Sequence, residues 1–279
     1  LTSLRGWAFT SVTNRMNRLK EVLITGSIRG IGRGLAEAFL HRGCSVIVSG
    51  REAETVVEVC SALQAQFSPE QVFGQACDVT KVTEVQSLWD KGLENFDHID
   101  VWINNAGVGL TTKPFWEHSI AELDYVLDIN IKGVSNGSVV AIQGMLRQGS
   151  GHLYNMEGLG SDGRIVSGTC AYGSSQAAIA YLTRALAHDA KDTPVRVSAI
   201  SPGMVVTDLL LRDIDVGDPR SEKALKIFNI LADKVETVAP WIADKVLSNT
   251  RNGGGIRWLT LSKIIWRFIS APLFKRKII

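Results

Sequence analysis

The chain has 279 residues, of which 30 are basic and 28 acidic, and 45% of the residues are apolar. This composition excludes a disordered protein and allows one large hydrophobic core. The four cysteines lie far apart and no histidine stands near them at metal-ligand spacing, which argues against a disulfide framework or a metal site.

Short β-branched runs alternate with longer helical patterns from residue 21 onward. The predicted strands are 21–25, 44–49, 72–77, 99–104, 152–156 and 195–200. The predicted helices are 30–42, 53–67, 82–96, 171–190 and a long helix over 119–147, which is interrupted at Gly133 and Gly137. The strands are apolar without alternation, so both faces are covered, and helical crossovers require parallel pairing. The sequence predicts an α/β fold, a doubly wound parallel sheet in a single domain over residues 21–255.

The two ends of the chain differ in charge from this domain. Residues 1–20 carry four basic residues and residues 256–279 carry six, and neither segment contains an acid. The domain between them has 20 basic against 28 acidic residues, a net charge of −8. We therefore expect the ends to contact an anionic surface, and we expect no nucleic-acid partner. The extension 1–20 has the composition of a transit-peptide remnant, with an ordinary solvated arm as the alternative.

A glycine-rich loop joins the first predicted strand to the first predicted helix. Gly26 allows the tight turn, and Gly30 and Gly32 let the backbone approach a pyrophosphate. The start of the helix offers free N–H groups and a positive dipole end to that anion. The residues that we expect to hold a dinucleotide here are Gly26, Ser27, Arg29, Gly30, Ile31 and Gly32.

The end of the second predicted strand indicates which dinucleotide binds. The strand ends at Ser49, Gly50 and Arg51 rather than at an acidic residue that would bind the ribose 2′-hydroxyl of NAD. Arg51 favours a 2′-phosphate, and Arg29 in the glycine loop is a second cation within reach. The sequence predicts NADP(H), with a merely solvent-exposed Arg51 as the alternative.

Further motifs follow in order, and with the glycine loop they resemble the short-chain dehydrogenase/reductase family. They are Asp78-Val79, Asn104-Asn105-Ala106-Gly107, Asn130, Tyr172, and Ser201-Pro202-Gly203 with Thr207. The resemblance implies that Asp78 and Val79 contact the adenine and that Asn130 forms part of a proton relay. It also implies a catalytic Tyr172. Of the other residues, it places Asn105, Ala106 and Gly107 beside the cofactor, and Pro202, Gly203 and Thr207 on its nicotinamide side.

Three segments, 152–164, 201–210 and 226–232, are similar to one branch of that family, the chlorophyll b reductases of the non-yellow-colouring type. This resemblance implies reduction of the 7-formyl group of chlorophyll b to a hydroxymethyl group with NADPH. It also implies a chloroplast protein at the stromal side of the thylakoid membrane. An apolar pigment would then be the substrate.

Two departures from the family pattern affect the catalytic residues. The family's Tyr-x-x-x-Lys is here Tyr172 followed by Gln176, which still lies on the same helical face. Gln176 can contact the nicotinamide ribose, but it brings no charge to lower the pKa of the phenol, so Tyr172 becomes a weaker general acid. Positions 158–160, where the family has a carbonyl-polarising serine, hold no hydroxyl. Ser161 is the nearest candidate, with a loop-capping serine as the alternative.

The segment 207–231 is predicted to form a lid over the substrate, and 256–279 a basic amphipathic tail. The polar side of the tail comprises Arg257, Thr260, Lys263, Arg267 and Ser270, and the other side Trp258, Leu261, Ile265, Phe268 and Ile269. A helix of about 16 residues is too short to span a bilayer. We expect it to lie in a membrane interface or to dock on a pigment–protein complex. Packing on the protein's own surface is the alternative.

The first interpretation of these features is a reductase that acts on a carbonyl group of chlorophyll. The second interpretation is a catalytically weak or inactive NADP(H)-binding subunit of a photosynthetic membrane complex, which Gln176 favours. A soluble reductase of lipids or steroids is the third, and it leaves the basic tail unexplained. The sequence does not distinguish a homo-oligomer from a hetero-oligomer.

Overall fold

The computed structural model describes residues 20–214, 219–273 and 276–279, so the predicted extension 1–20 lies outside the described residues except for Lys20. Within them a parallel sheet runs in the order β3-β2-β1-β4-β5-β6-β7. Its strands are β1 (Glu21–Ile24), β2 (Ser45–Gly50), β3 (Val72–Ala76), β4 (Val101–Asn104), β5 (Gly151–Met156), β6 (Val195–Ser201) and β7 (Gly255–Arg257). Because the order reverses at β1 and β4, the doubly wound prediction is confirmed.

The helices that join the strands cover both faces of the sheet. They are α1 (Gly30–Leu40), α2 (Ala53–Gln64), α3 (Val82–Phe96), α4 (Ile120–Leu127), α5 (Gly133–Gln148), α6 (Cys170–Asp189), α7 (Asp208–Leu211), α8 (Pro219–Leu231), α9 (Val235–Ser248) and α10 (Leu261–Ser270). None of the helices in the described ranges has both the length and the apolar character that crossing a membrane requires.

Strand β1 shows why apolar and polar residues do not alternate in the strands of this sequence. Its residues Val22 and Ile24 pack in one core with Phe39 of α1, whereas Leu23 points to the other core with Trp89 of α3 and Trp102 of β4. All six side chains are 1% exposed or less. Both faces of the strand are therefore buried, as parallel sheets require.

The predicted long helix over 119–147 is broken directly before Gly133, one of the two expected positions, and is not broken at Gly137. A π turn at Asp128–Lys132 separates α4 from α5, and it contains Asn130. Gly137 instead lies inside α5, where a Cβ atom would collide with the side chain of Asn104. That glycine permits close packing of α5 on β4 and does not interrupt the helix.

The predicted boundary after Gly255 falls inside the sheet. Strand β7 pairs with β6, with Ile256 opposite Ile200. The predicted helix of the tail corresponds to α10, which has 10 residues and begins only at Leu261. Its N-cap is Thr260, whose side chain accepts a hydrogen bond from the Lys263 backbone N–H.

Candidate active site

The glycine loop adopts a conformation that side chains would prevent. Gly26 and Gly30 have φ of +63° and +56°, and a Cβ on Gly26 would lie 2.8 Å from Cα of Ala106. A Cβ on Gly32 would lie 2.5 Å from the Gly26 carbonyl oxygen. Among the described residues no side chain caps the start of α1 at Arg29, so its first N–H groups face outward free. This cradle fits the pyrophosphate of a dinucleotide.

Side chains beneath the loop fix its shape. Ser27 is fully buried, and its hydroxyl donates to the Ile24 carbonyl oxygen at 2.8 Å and accepts from the Ser49 backbone N–H at 2.9 Å. The Ser27 side chain therefore ties β1 to β2 and does not line an open surface. Ile31 is half-buried against the core below the loop.

The segment after β4 is bonded directly to this loop. The Asn105 amide donates to the carbonyl oxygens of Thr25 and Gly26 at 2.9 and 3.0 Å. In return the Thr25 hydroxyl accepts from the backbone N–H groups of Asn105 and Ala106 at 3.0 and 3.1 Å. Thr25 was not among the predicted site residues, although it directly precedes Gly26, the residue at which the chain turns.

The two predicted cations lie on the surface near the loop. The Arg51 guanidinium stands 5.9 Å above the ring centre of Tyr125, and its side chain is exposed. Nη1 of Arg29 lies 3.9 Å from a carboxylate oxygen of Asp208, with both side chains exposed. Arg29 thus has an acidic neighbour, Asp208, at the start of the predicted lid. The sequence pattern did not indicate this contact.

Asp78 and Val79 lie where β3 ends. Burial acts to raise the pKa of Asp78, but hydrogen bonds from the Thr80 backbone and hydroxyl, at 3.0 and 2.8 Å, hold it below its usual value. The charge of Arg51 acts in the same direction. Val79 is buried, and a Cβ on Gly133 would come within 2.6 Å of it. The carboxylate is therefore ionised near Arg51.

Asn130 lies in the π turn, and its side chain is linked by hydrogen bonds to α6, the helix that carries Tyr172. The Asn130 side chain accepts from the Val108 backbone N–H and donates to its carbonyl oxygen, both at 2.9 Å. It also donates to the Ser175 hydroxyl at 3.0 Å, which in turn donates to the Tyr172 carbonyl oxygen at 2.7 Å. Gly107 lies next to this group, with its Cβ position 3.4 Å from the Asn130 amide oxygen. Ser175 was not among the predicted site residues, although its position three residues after Tyr172 places it on the same face of the helix.

The centre of the candidate site consists of Tyr172, Gln176 and Gly158. Gln176 is buried, and its amide oxygen accepts from the Gly158 backbone N–H at 2.7 Å. The Tyr172 hydroxyl lies so close to Gly158 that a Cβ there would collide with it. Burial raises the pKa of Tyr172 to about 12, and no charged group is among the causes. The structure thus shows a phenol that stays protonated at neutral pH, and no cation in the described part of the chain contributes to lowering its pKa.

Ser161 lies in a turn beside this centre. Its backbone N–H donates to the Gly158 carbonyl oxygen at 3.2 Å. The residue lines a cleft of about 470 Å³ together with Asp162, Arg184 and Arg257. Within the described segments no hydrogen bond joins its hydroxyl to Tyr172, and the residue that faces the phenol is Gly158.

The segment after β6, which was predicted to lie on the nicotinamide side, packs against Leu259 and the glycine loop. Pro202 is buried, and Gly203 has a φ of +73° with its Cβ position 2.6 Å from Cβ of Leu259. Thr207 lies against the glycine loop, because its methyl group is 3.4 Å from the Cβ position of Gly30. The structure therefore brings the two predicted ends of the cofactor site together.

The start of the predicted lid and the Tyr172 ring both lie near Gly109. The Cβ position of Gly109 is 3.2 Å from a methyl group of Leu209 and 3.9 Å from the Tyr172 ring. The Arg212 guanidinium donates to the Gly109 carbonyl oxygen. One residue further, the Asp213 carboxylate accepts from the Thr112 backbone N–H and hydroxyl at 2.8 and 2.7 Å. The predicted lid is thus bonded to the loop that follows β4.

A separate apolar cavity of about 270 Å³ adjoins the start of α6. It is lined by Phe115, Leu123, Leu127, Cys170, Ala171 and Ser174. The last three residues lie within two positions of Tyr172 in the chain. An apolar part of a substrate that reached Tyr172 would find this cavity nearby.

The fold and motifs agree with comparisons to known proteins. The family model described as short chain dehydrogenase matches residues 20–214. The chain belongs to the short-chain dehydrogenase family. Membership of this family, with the glycine cradle described above, supports a nicotinamide cofactor, and the resemblance drawn from the sequence motifs is confirmed.

Curated relatives give a narrower comparison. The chain is 35% identical over 258 residues to "Chlorophyll(ide) b reductase NOL, chloroplastic" of Arabidopsis thaliana, which covers 89% of this chain and 72% of the relative. It is also 35% identical over 262 residues to the protein of the same name from Oryza sativa subsp. japonica, over 91% of this chain and 75% of the relative.

A solved structure, "ElxO with NADP Bound", is 25% identical and superposes with a TM-score of 0.76. The match covers 86% of this chain and 97% of that chain.

Proposed function

We propose that this short-chain dehydrogenase reduces the 7-formyl group of chlorophyll b to a hydroxymethyl group, with NADPH as cofactor. The observation that carries the proposal is its 35% identity to plant chlorophyll(ide) b reductases over about nine-tenths of the chain. Their names include the word chloroplastic, so we further propose a chloroplast protein at the stromal side of the thylakoid membrane.

The cofactor, when bound, supplies the hydride. The glycine loop and the start of α1 would hold its pyrophosphate, and Asp78 and Val79 would meet its adenine. Arg51, exposed at the end of β2 with no acid in its place, supports the choice of NADPH over NADH. Arg29 can add a second contact to a 2′-phosphate once it leaves Asp208.

The chain's own contribution to the chemistry is a proton. After hydride addition the formyl oxygen requires one, and the Tyr172 hydroxyl is the acidic group at the centre of the site. Gln176 can bind a ribose hydroxyl with its amide N–H, because only its amide oxygen is taken up by Gly158. Leu209 and the apolar cavity beside α6 offer contacts for a large apolar pigment.

A second candidate function is an NADP(H)-binding subunit without turnover. It is favoured by the absence, in the described residues, of any cation among the causes of the Tyr172 pKa. The amide at position 176 cannot replace the charge of a lysine. The two candidates bind the same cofactor, so binding alone does not separate them.

The deciding experiment is incubation of the purified protein with NADPH and chlorophyll b, with the pigments separated by chromatography. Loss of chlorophyll b with stoichiometric formation of the 7-hydroxymethyl pigment supports the reductase, provided that Tyr172→Phe abolishes it. NADPH binding without any product supports the second candidate and contradicts the first.

A further inference from the structure

Helix α10 packs on the protein through its basic side, and its apolar side is exposed. A surface helix of a globular protein normally turns its apolar side inward. Here Lys263 and Arg267 lie on the inner side and are half-buried. The outer face, defined as the exposed apolar residues of α10, comprises Leu261, Ile265, Trp266, Phe268 and Ile269. Leu261, Trp266 and Ile269 are 72%, 65% and 65% exposed. The basic side of α10 therefore lies against the protein, and its apolar side is exposed.

The inner side is fixed by one buried acid. The Asp233 carboxylate accepts from Arg267 at 2.7 and 2.9 Å, from Arg276 at 2.6 Å and from the Trp258 indole N–H at 2.6 Å. Trp258, which the sequence placed on the apolar side, therefore lies inside. The Lys263 ammonium stands 3.2 Å from the Trp258 ring centre.

The same arginines also bind the end of the lid. Arg267 donates to the Leu231 carbonyl oxygen at 2.7 Å, and Arg276 donates to those of Ile230 and Ala232 at 2.6 and 2.9 Å. These are the carbonyl groups that the C-terminus of α8 leaves without partners. The reversed orientation is therefore built into the fold, and these two charges are not free to bind an external anion.

The charges of the tail indicate what covers the outer face. Every charged side chain of residues 256–279 is basic, and Arg257 and Lys277 are exposed. A second copy docked through the same face would bring two acid-free segments together, which costs like-charge repulsion. A bilayer with anionic headgroups complements an apolar face that is accompanied only by cations. Trp266 and Phe268 are also of the residue type that favours the membrane interface.

We propose that the outer face of α10 inserts into the interface of a bilayer that contains anionic lipid, while its basic side holds the helix on the lid. Apolar insertion supplies most of the binding, and the exposed cations add a smaller, salt-sensitive part. Since α10 is bonded to the end of α8, membrane binding places the lid next to the bilayer. This proposal stands on the surface alone and does not require the reductase activity.

The test is flotation of the full chain with phosphatidylcholine vesicles, with and without phosphatidylglycerol, at low and high salt. We expect binding to anionic vesicles that high salt reduces only in part. Trp266→Ser combined with Ile269→Ser should lower the partition coefficient about tenfold or more, since both side chains would lose their apolar burial. The matched control, Val57→Ser with Val82→Ser, removes exposed side chains from α2 and α3 and should bind as the natural protein does.

A second pair, Ile265→Ser with Phe268→Ser, repeats the test at other outer-face positions in case the first pair does not fold. Equal binding by the natural protein and both outer-face pairs would overturn the proposal, as would binding that is lost only when residues 1–19 are removed. Failure of the natural protein to bind, together with a change of oligomeric state in the outer-face variants by light scattering, would identify the face as a protein interface and would likewise overturn it.

Discussion

The two halves of the site are held together in different ways. In the cofactor half, the loops after β1 and β4 are joined by bonds from Asn105 and Thr25 that need no ionised group. In the catalytic half, Gly158 and Gln176 stand where the family pattern has a serine and a lysine, and the pKa of Tyr172 is about 12. The comparison indicates that the backbone architecture of a nicotinamide site does not depend on the charge that would lower the pKa of its phenol.

The largest effect is expected from Tyr172→Phe, which removes the only proton donor assigned to the catalytic half. Turnover should fall by about 10²–10⁴-fold, the usual contribution of a positioned general acid. NADPH affinity should be nearly unchanged, because the glycine loop is not altered. Single-turnover oxidation of NADPH with chlorophyll b measures the turnover, and fluorescence titration measures the NADPH affinity. An equal loss in both would mean that the two halves are not separable.

The next largest effect is expected from Arg51→Ala in the cofactor half. Loss of a charge-assisted bond to the 2′-phosphate should weaken NADPH binding by about 1.5–3 kcal/mol. NADH lacks this phosphate and should bind with unchanged affinity. Arg33→Ala serves as the control, since that side chain is bonded to Glu37 and the Val59 carbonyl oxygen. Equal affinities of the natural protein for NADPH and NADH would exclude the assignment.

A steric variant tests whether the cofactor half depends on close backbone approach. Gly32→Ala places a methyl group 2.5 Å from the Gly26 carbonyl oxygen and against the Asn105 amide. Overpacking of this kind costs about 1–3 kcal/mol, so thermal stability and NADPH affinity should both fall. Gly173→Ala is the matched control, because its Cβ position has nothing within 4 Å. If the two variants melt and bind alike, the loops are not packed as described.

The sequence predicted most of the fold because its signals are local. The apolar strands, the helical periods between them and the glycine loop each occupy a few consecutive residues, and the parallel sheet follows from their alternation. The break in the predicted long helix lies at Asp128–Lys132, directly before Gly133, which was one of the two expected positions. Glycines such as Gly137 suggested a break, whereas that glycine serves the contact with Asn104, which lies 33 positions earlier and cannot be read from a local pattern.

The parts of the site that depend on distant partners were harder to predict. Amphipathic spacing defined two sides of α10, but it did not show which side lies inward. That choice depends on Asp233, which is 34 residues before Arg267. Likewise the spacing to Tyr172 suggested Ser161 as a hydroxyl donor, whereas the turn from Gly158 to Ser161 decides which residue faces the phenol.

The most direct test of the central claim, that the charge missing at position 176 limits Tyr172, is the pH dependence of single-turnover chlorophyll b reduction. Gln176→Lys should be about tenfold faster near neutral pH, because an ammonium lowers the pKa of the phenol. Its rate should fall at alkaline pH as that phenol ionises, whereas the natural protein, with a pKa of about 12, should keep its rate to higher pH. Gln176→Glu still accepts from the Gly158 N–H but brings a negative charge, and it should be slower than the natural protein. A natural protein that is as fast as Gln176→Lys, with the same pH profile, would contradict the account.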